Sequence, residues 1–157
     1  MHYLELFIDH AKLDQSPLGA LIIRINDSTV LLFRTGKCII TGAKRRNQAL
    51  HSAKLILEQL NKNDHSNARL TQFKITNLVI SCKIPHIIDI EKFYNENKLH
   101  SSYEIELFPG LIFSEISKIS VTIFRKGSFF VTGFSHFHRA REYTLYIFNK
   151  LYCFAIK

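Results

Sequence analysis

Apolar positions along this chain follow two periods, and the pair of periods occurs twice. Short apolar runs of strand length lie at Leu21–Ile25, Thr29–Arg34 and Lys37–Thr41, and again at Leu111–Ile116, Ser120–Arg125 and Ser128–Thr132. The joins Phe33–Gly36 (FRTG) and Phe124–Gly127 (FRKG) read as tight hairpin turns, with glycine where a positive φ is needed. A stripe at spacings of three and four then predicts a helix closing each half: Leu50, Ala53, Leu57 and Leu60, then Tyr143, Ile147, Leu151 and Phe154. Shorter helical stretches are predicted over Leu4–Leu13 and Asp89–Lys98. The polar run 61–71 (NKNDHSNARLT) joins the halves, and Phe73–Lys83 opens the second half as a strand. The first half has no counterpart of that opening strand.

The two halves are an internal duplication. Leu31–Lys44 (LLFRTGKCIITGAK) and Thr122–Ser135 (TIFRKGSFFVTGFS) share a frame in which Phe33 matches Phe124, Gly36 matches Gly127, Thr41 matches Thr132 and Gly42 matches Gly133. Each half is about 80 to 90 residues, longer than the ~20–50 of solenoid units, which points to a duplicated half-domain. The expected organisation is one domain over 1–157, with an incomplete first half-repeat at 1–60, a linker at 61–72 and a second half-repeat at 73–157.

Side chains alternate across a strand, and here both faces are apolar. One face carries Leu31, Phe33, Ile39 and Thr41, then Thr122, Phe124, Phe130 and Thr132; the other carries Val30, Leu32, Cys38 and Ile40, then Val121, Ile123, Phe129 and Val131. An antiparallel sheet with one wet face shows apolar–polar alternation instead. In a duplicated strand–strand–strand–helix unit the helices fall on one side. The other side is left open and apolar, which marks a partner surface.

Charge narrows the partner. Lys and Arg number 21 against 13 acids, a formal net charge of +8, which favours a polyanion over other partners. No run approaches the ~18 apolar residues of a membrane span, and the start lacks the features of a signal peptide. Cys38, Cys82 and Cys153 are odd in number and far apart, which suits free thiols. His136 and His138 are spaced like a metal pair, but no cysteine or acid cluster completes a site. There is no phosphate-loop glycine motif and no nucleophile elbow. The expectation is therefore no enzyme, no cofactor, no metal, no membrane and no small-molecule substrate.

Two stretches carry a family resemblance. Ser101–Phe113 (SSYEIELFPGLIF) and Phe73–Cys82 (FKITNLVISC) resemble the second repeat of the TATA-box-binding protein family, and Leu31–Lys44 resembles its first. The likeness runs from about Leu4 to Leu151. It implies an α+β fold: a saddle of two direct repeats forming one curved antiparallel sheet, with helices on the convex face. It also implies binding of double-stranded A·T-rich promoter DNA through the minor groove, with apolar wedges kinking the duplex; the handling of kinked minor-groove DNA by this family is well established. The matching wedge positions are Leu18, Phe33, Phe108 and Phe124. Leu31, Ile39, Thr41, Asn77, Val79, Phe130 and Thr132 match the groove floor, and Arg24 and Lys37 match phosphate contacts. Glu104, Glu106 and Leu107 match the stirrup that docks transcription factor IIB. Lys44, Arg45 and Arg46 match a convex region where other initiation factors and regulators bind. Cys82 and the ELFPG wording look eukaryotic, so the implied compartment is the nucleus.

The chain departs from the family pattern in places. Phe130 stands at a valine position and Thr122 at a leucine. Ser114, Ser128 and Ser135 stand at basic positions, with Arg125 and Lys126 nearby. These changes, beside a nearly intact stirrup, motivate an alternative reading as a protein-interaction adaptor with weak or no sequence-specific DNA binding.

Overall fold

The apolar runs form strands close to where the pattern predicts them. In the computed structural model, which describes residues 11–13, 19–63 and 67–156 (for 11–13 and 63 the backbone alone), the chain divides into two units, Met1–Lys74 and Ile75–Lys157. The first unit contains β1 (Ala11–Leu13), β2 (Ala20–Ile25), β3 (Ser28–Phe33), β4 (Cys38–Thr41) and helix α1 (Arg46–Asn63). Its four strands are antiparallel in the order β1-β2-β3-β4. The second unit contains β5 (Leu78–Lys83), β6 (Ile87–Ile88), α2 (Ile90–Glu96), a 3-10 turn (Lys98–His100), β7 (Ser101–Ser102), β8 (Leu111–Phe113), β9 (Ser120–Ile123), β10 (Ser128–Phe134), α3 (Phe137–Tyr152) and β11 (Ala155–Ile156). Five of its strands form an antiparallel sheet in the order β5-β10-β9-β8-β7, and β11 pairs with β6. The class is α+β.

Matched hairpins adopt the same backbone in both units. Phe33 N–H donates to the Lys37 carbonyl at 2.9 Å and Gly36 N–H to the Phe33 carbonyl at 3.0 Å; Phe124 N–H donates to Ser128 and Gly127 N–H to Phe124, both at 2.9 Å. Gly36 and Gly127 sit at φ 81° and 82°, a region costly for any residue with a Cβ. The sheets match strand for strand: β1 to β7, β2 to β8, β3 to β9 and β4 to β10. Among the described residues nothing in the first unit matches β5, the asymmetry expected from the sequence.

One face of each sheet is covered by its helix. Leu21, Ile23, Val30 and Leu32 are buried in the first unit with Ala53 and Ile56 of α1. Leu111, Phe113, Val121, Ile123, Phe129 and Val131 are buried in the second with Tyr143, Ile147 and Leu151 of α3 and Phe93 of α2. Each fully buried Leu, Ile or Phe contributes about 1.5–3 kcal/mol relative to exposure, so this burial fixes which face the helix takes. On the covered side of the first sheet, Ser28 Oγ and Ser52 Oγ lie 2.8 Å apart. The N-terminus of α2 is capped by Asp89, whose Oδ1 accepts from Lys92 N–H at 3.0 Å.

Two predicted elements differ. The stretch Leu4–Leu13, predicted as helical, ends in strand β1, with Ala11 opposite Ile23 and Leu13 opposite Leu21; residues 1–10 lie outside the described residues. The edge of β2 offers a row of N–H and C=O groups, and satisfying them outweighs a local helical period. The strand predicted from Phe73 begins only at Leu78. The β5–β10 register shifts between Thr132 and Phe134, and the freed Gly133 N–H goes to the Asn77 side chain, which ends the ladder there.

Candidate nucleic-acid interface

The uncovered face of each sheet is a row of apolar side chains set by register. In the first unit Ile39, Leu31 and Ile22 are cross-strand neighbours, and Thr41, Thr29 and Arg24 form the next row. Ile39 is 38% exposed, and Thr41 and Arg24 are exposed. In the second unit Ser81, Phe130, Thr122 and Ile112 form one row, and Val79, Thr132 and Ser120 the next. Val79 is 65% exposed, Phe108 and Ile112 each 43%, and Phe130 37%. Large apolar groups this exposed on the open sheet face of a unit mark a binding surface rather than a core.

Aromatic rings extend the second unit's face. Phe108 meets Phe124 edge-on at 5.8 Å between centroids, and Phe124 meets Phe130 at 6.0 Å and 87°. Gly110 lies beneath the first pair. A Cβ there would come 2.6 Å from Phe108 Cε1, 3.1 Å from Phe124 Cε1 and 3.0 Å from Thr122 Cγ2, so the absence of a side chain lets the rings close over the sheet. In the first unit Phe33 occupies the matched position and is half-buried. Leu18, the remaining wedge position, lies outside the described residues.

Asn77 is held in one orientation. Its Oδ1 accepts from Gly133 N–H at 2.8 Å, which assigns oxygen and nitrogen, and its Nδ2 donates to Thr132 Oγ1 at 3.1 Å. One Nδ2 hydrogen is then left over on an exposed side chain. A minor groove offers only acceptors at A·T pairs, the N3 of adenine and O2 of thymine.

Other predicted residues lie away from these rows. Lys37 is exposed in the β3–β4 turn. Glu104, Glu106 and Leu107 are exposed in the loop between β7 and β8, where Leu107 N–H and Phe108 N–H donate to the Glu104 carbonyl at 3.0 and 2.9 Å. Leu107 is 81% exposed and Ile105 60%, so the loop presents apolar tips between two acids. Lys44, Arg45 and Arg46 are exposed at the start of α1, where Gln48 Oε1 accepts from the N–H groups of Lys44 and Arg45 at 3.1 and 3.0 Å. The Arg46 guanidinium lies 5.3 Å from the Phe73 ring centre. His136 and His138 lie at the start of α3, with His138 Nδ1 3.7 Å from Glu142. Burial pushes the Cys82 thiol up, so it stays protonated at neutral pH. Ile22, Ser81 and Ile112 belong to the open faces and were not singled out from the sequence. Strand alternation through Leu21–Ile25 and Leu111–Phe113 carries the signal for the two isoleucines.

The fold and this surface define a duplicated sheet-and-helix protein with one apolar face uncovered in each repeat. Residues 4–63 and 72–154 match the family described as transcription factor TFIID, or TATA-binding protein, and the chain belongs to that family. It is 34% identical over 146 residues to the TATA-box-binding protein of Dictyostelium discoideum, covering 91% of this chain and 69% of that one. It is 35% identical over 127 residues to the TATA-box-binding protein of Saccharomyces cerevisiae, covering 79% and 52%. The chain thus spans between about four tenths and about seven tenths of the lengths of the curated relatives it matches. Among solved structures, TBP of Methanococcus jannaschii matches with a TM-score of 0.79 at 22% identity, over 96% of this chain and 87% of that one, which shows the shared fold.

Proposed function

We propose that this protein is a general transcription initiation factor that binds A·T-rich promoter DNA in the minor groove, bends it and recruits transcription factor IIB in the nucleus. The observation that carries the reading is the uncovered apolar face in each unit of a chain belonging to this family. An apolar floor accepts A·T pairs, because the guanine amino group would project into it. In this reading Leu18, Phe33, Phe108 and Phe124 are wedges, and Leu31, Ile39, Thr41, Asn77, Val79, Phe130 and Thr132 meet the floor. Arg24 and Lys37 contact phosphate, giving affinity without sequence information. Glu104, Glu106 and Leu107 meet transcription factor IIB, and Lys44, Arg45 and Arg46 other initiation factors.

The test is a gel shift on a TATA duplex and a G·C-rich control at several salt concentrations. Tighter TATA binding that weakens steeply with salt is expected. Equal affinity for both duplexes removes sequence reading. Binding to transcription factor IIB without binding to DNA identifies an adaptor instead.

A further inference from the structure

Helix α3 carries a second apolar stripe, and this one is exposed. Tyr143, Ile147 and Leu151 account for the buried face of the helix. Phe137, Arg141, Leu145, Phe148 and Tyr152 follow one another at intervals of four, four, three and four. At 3.6 residues per turn they share one band, about 80° wide, beside the buried face. The band runs from the first residue of the helix to the last, a length of about 24 Å. Phe137 is 68% exposed, Leu145 53% and Tyr152 48%. Rings build up its far end: Phe148 stacks on Tyr152 at 6.3 Å between centroids, and His86 meets Tyr152 edge-on at 5.8 Å. Helix α1 has no such band. The frame that matches Gly42 with Gly133 also matches the buried Ile56 with the buried Ile147. It sets the exposed Arg46, Lys54 and Asn61 of α1 against Phe137, Leu145 and Tyr152. An outer helix face that meets only water is served by the polar set, so the exposed apolar set calls for a partner.

Charge identifies the partner. Arg141 stands exposed within the band, and Lys83 and Lys126 line a shallow depression with His86 at the Tyr152 end. Among the described residues the ion pairs are Glu142 with His138 and Glu115 with Lys150, so none of these three cations has a carboxylate partner there. We infer that the outer face of α3 is a docking surface for an acidic amphipathic helix of another protein. Its apolar side chains cover Phe137, Leu145 and Tyr152, and its flanking acids meet Arg141, Lys83 and Lys126. Aromatic rings and arginine are the side chains enriched in the buried centre of such contacts. A bilayer fits the band less well, because a helix lying on a membrane keeps its cations at the polar edge and not between Phe137 and Leu145. A second copy of the chain brings the same unpaired cations to the contact and a further formal charge of +8. The band belongs to α3 and not to the open sheet face, so the inference stands apart from the minor-groove reading.

The experiment titrates the full chain against two fluorescent helical peptides of the length of α3. Both carry the same leucine stripe, flanked by glutamate in one and by lysine in the other. The wild-type chain should prefer the glutamate peptide by about tenfold or more. The double variant Phe137→Arg/Leu145→Lys takes the residues of α1 and leaves the contacts of Tyr152 in place; it should weaken that binding by about thirtyfold. Arg141→Glu should cut the preference for glutamate over lysine by about tenfold. Thermal unfolding of each variant checks the fold, since all three side chains are exposed. Three results overturn the inference: equal affinity of the wild type for both peptides, undiminished binding of the glutamate peptide by the double variant, or no binding to the wild type below about 1 mM. Adsorption of the wild type to phosphatidylserine vesicles, lost in the double variant, overturns it in favour of a membrane surface. A dimer in sedimentation that the double variant disperses overturns it in favour of a second copy. If the wild-type chain binds the glutamate peptide but no DNA duplex, the minor-groove reading falls and the docking surface stands.

Discussion

The Gly133 backbone N–H donates to Asn77 Oδ1 at 2.8 Å, at the point where the β5–β10 ladder slips by one residue. A bulge that leaves one N–H unpaired thereby fixes the orientation of an exposed amide, whose Nδ2 donates one hydrogen to Thr132 Oγ1 and keeps the other as the spare donor. Asn77→Asp keeps the acceptor for Gly133 and replaces the donor with a second acceptor. Under the proposed function this variant should lose about 10- to 100-fold in affinity for an A·T duplex, the range of one well-placed base contact. Fluorescence anisotropy on a labelled duplex reads this directly. Thermal unfolding should change little, because the Gly133 bond survives. An Asn77→Asp chain that binds DNA as tightly as the wild type would show that the amide does not meet the groove.

Gly110 separates ring placement from stability. A methyl at this position falls 2.6 Å from the end of the Phe108 ring and 3.1 Å from Phe124 Cε1, so the rings must move while the backbone need not. Gly110→Ala should cost no more than about 1 kcal/mol in stability, as displaced exposed side chains usually do. DNA bending, read by energy transfer between duplex ends, should nonetheless fall sharply. Bending equal to the wild type would mean that the Phe108–Phe124 pair is not the wedge.

Much of this was legible in the chain. Duplication was readable because Phe33, Gly36, Thr41 and Gly42 recur in one frame, and hairpin geometry follows from glycine chemistry alone. The apolar character of both sheet faces was readable from strand alternation. The side that α3 covers required tertiary packing, since Phe129 and Phe130 are equivalent to any pattern and only the first is buried. The β1 strand was misread because three residues carry too little period to outweigh their neighbours, and an edge pairing decided their state. The bulge at Gly133 and its bond to Asn77 join positions 56 residues apart, a contact no local pattern reports.

A cluster behind the sheet gives a prediction about pH. Tyr143 OH donates to Glu115 Oε1 at 3.2 Å, while Tyr146 OH and Lys150 Nζ both donate to Oε2 at 3.3 Å. Burial, and then the Glu115 charge, push the Tyr143 phenol well above its ordinary value. A group whose pKa is raised on folding stabilises the fold below its unfolded pKa, about 10 for tyrosine, and loses that contribution as pH rises further. The wild-type chain should therefore unfold at a higher temperature than Tyr143→Phe near neutral pH, by an amount reflecting about 1 kcal/mol for one hydrogen bond. The gap should narrow as pH is raised above about 10. Calorimetry across this range checks both parts, and a gap constant into the alkaline range would rule out the buried phenol as its source.

Arg24 and Lys37 provide the electrostatic test. Both are exposed in the first unit, Arg24 on the open face opposite Thr29 and Lys37 in the β3–β4 turn. If each neutralises one phosphate, Arg24→Ala and Lys37→Ala should each weaken binding to every duplex by a similar factor, leaving the preference for A·T-rich sequence intact. Each should also flatten the slope of log affinity against log salt by about 1, because one fewer counterion is released. The double variant should flatten it by about 2 if the contacts are independent. Loss of affinity with an unchanged slope would place these side chains off the phosphates. A change in sequence preference would place them against base edges instead.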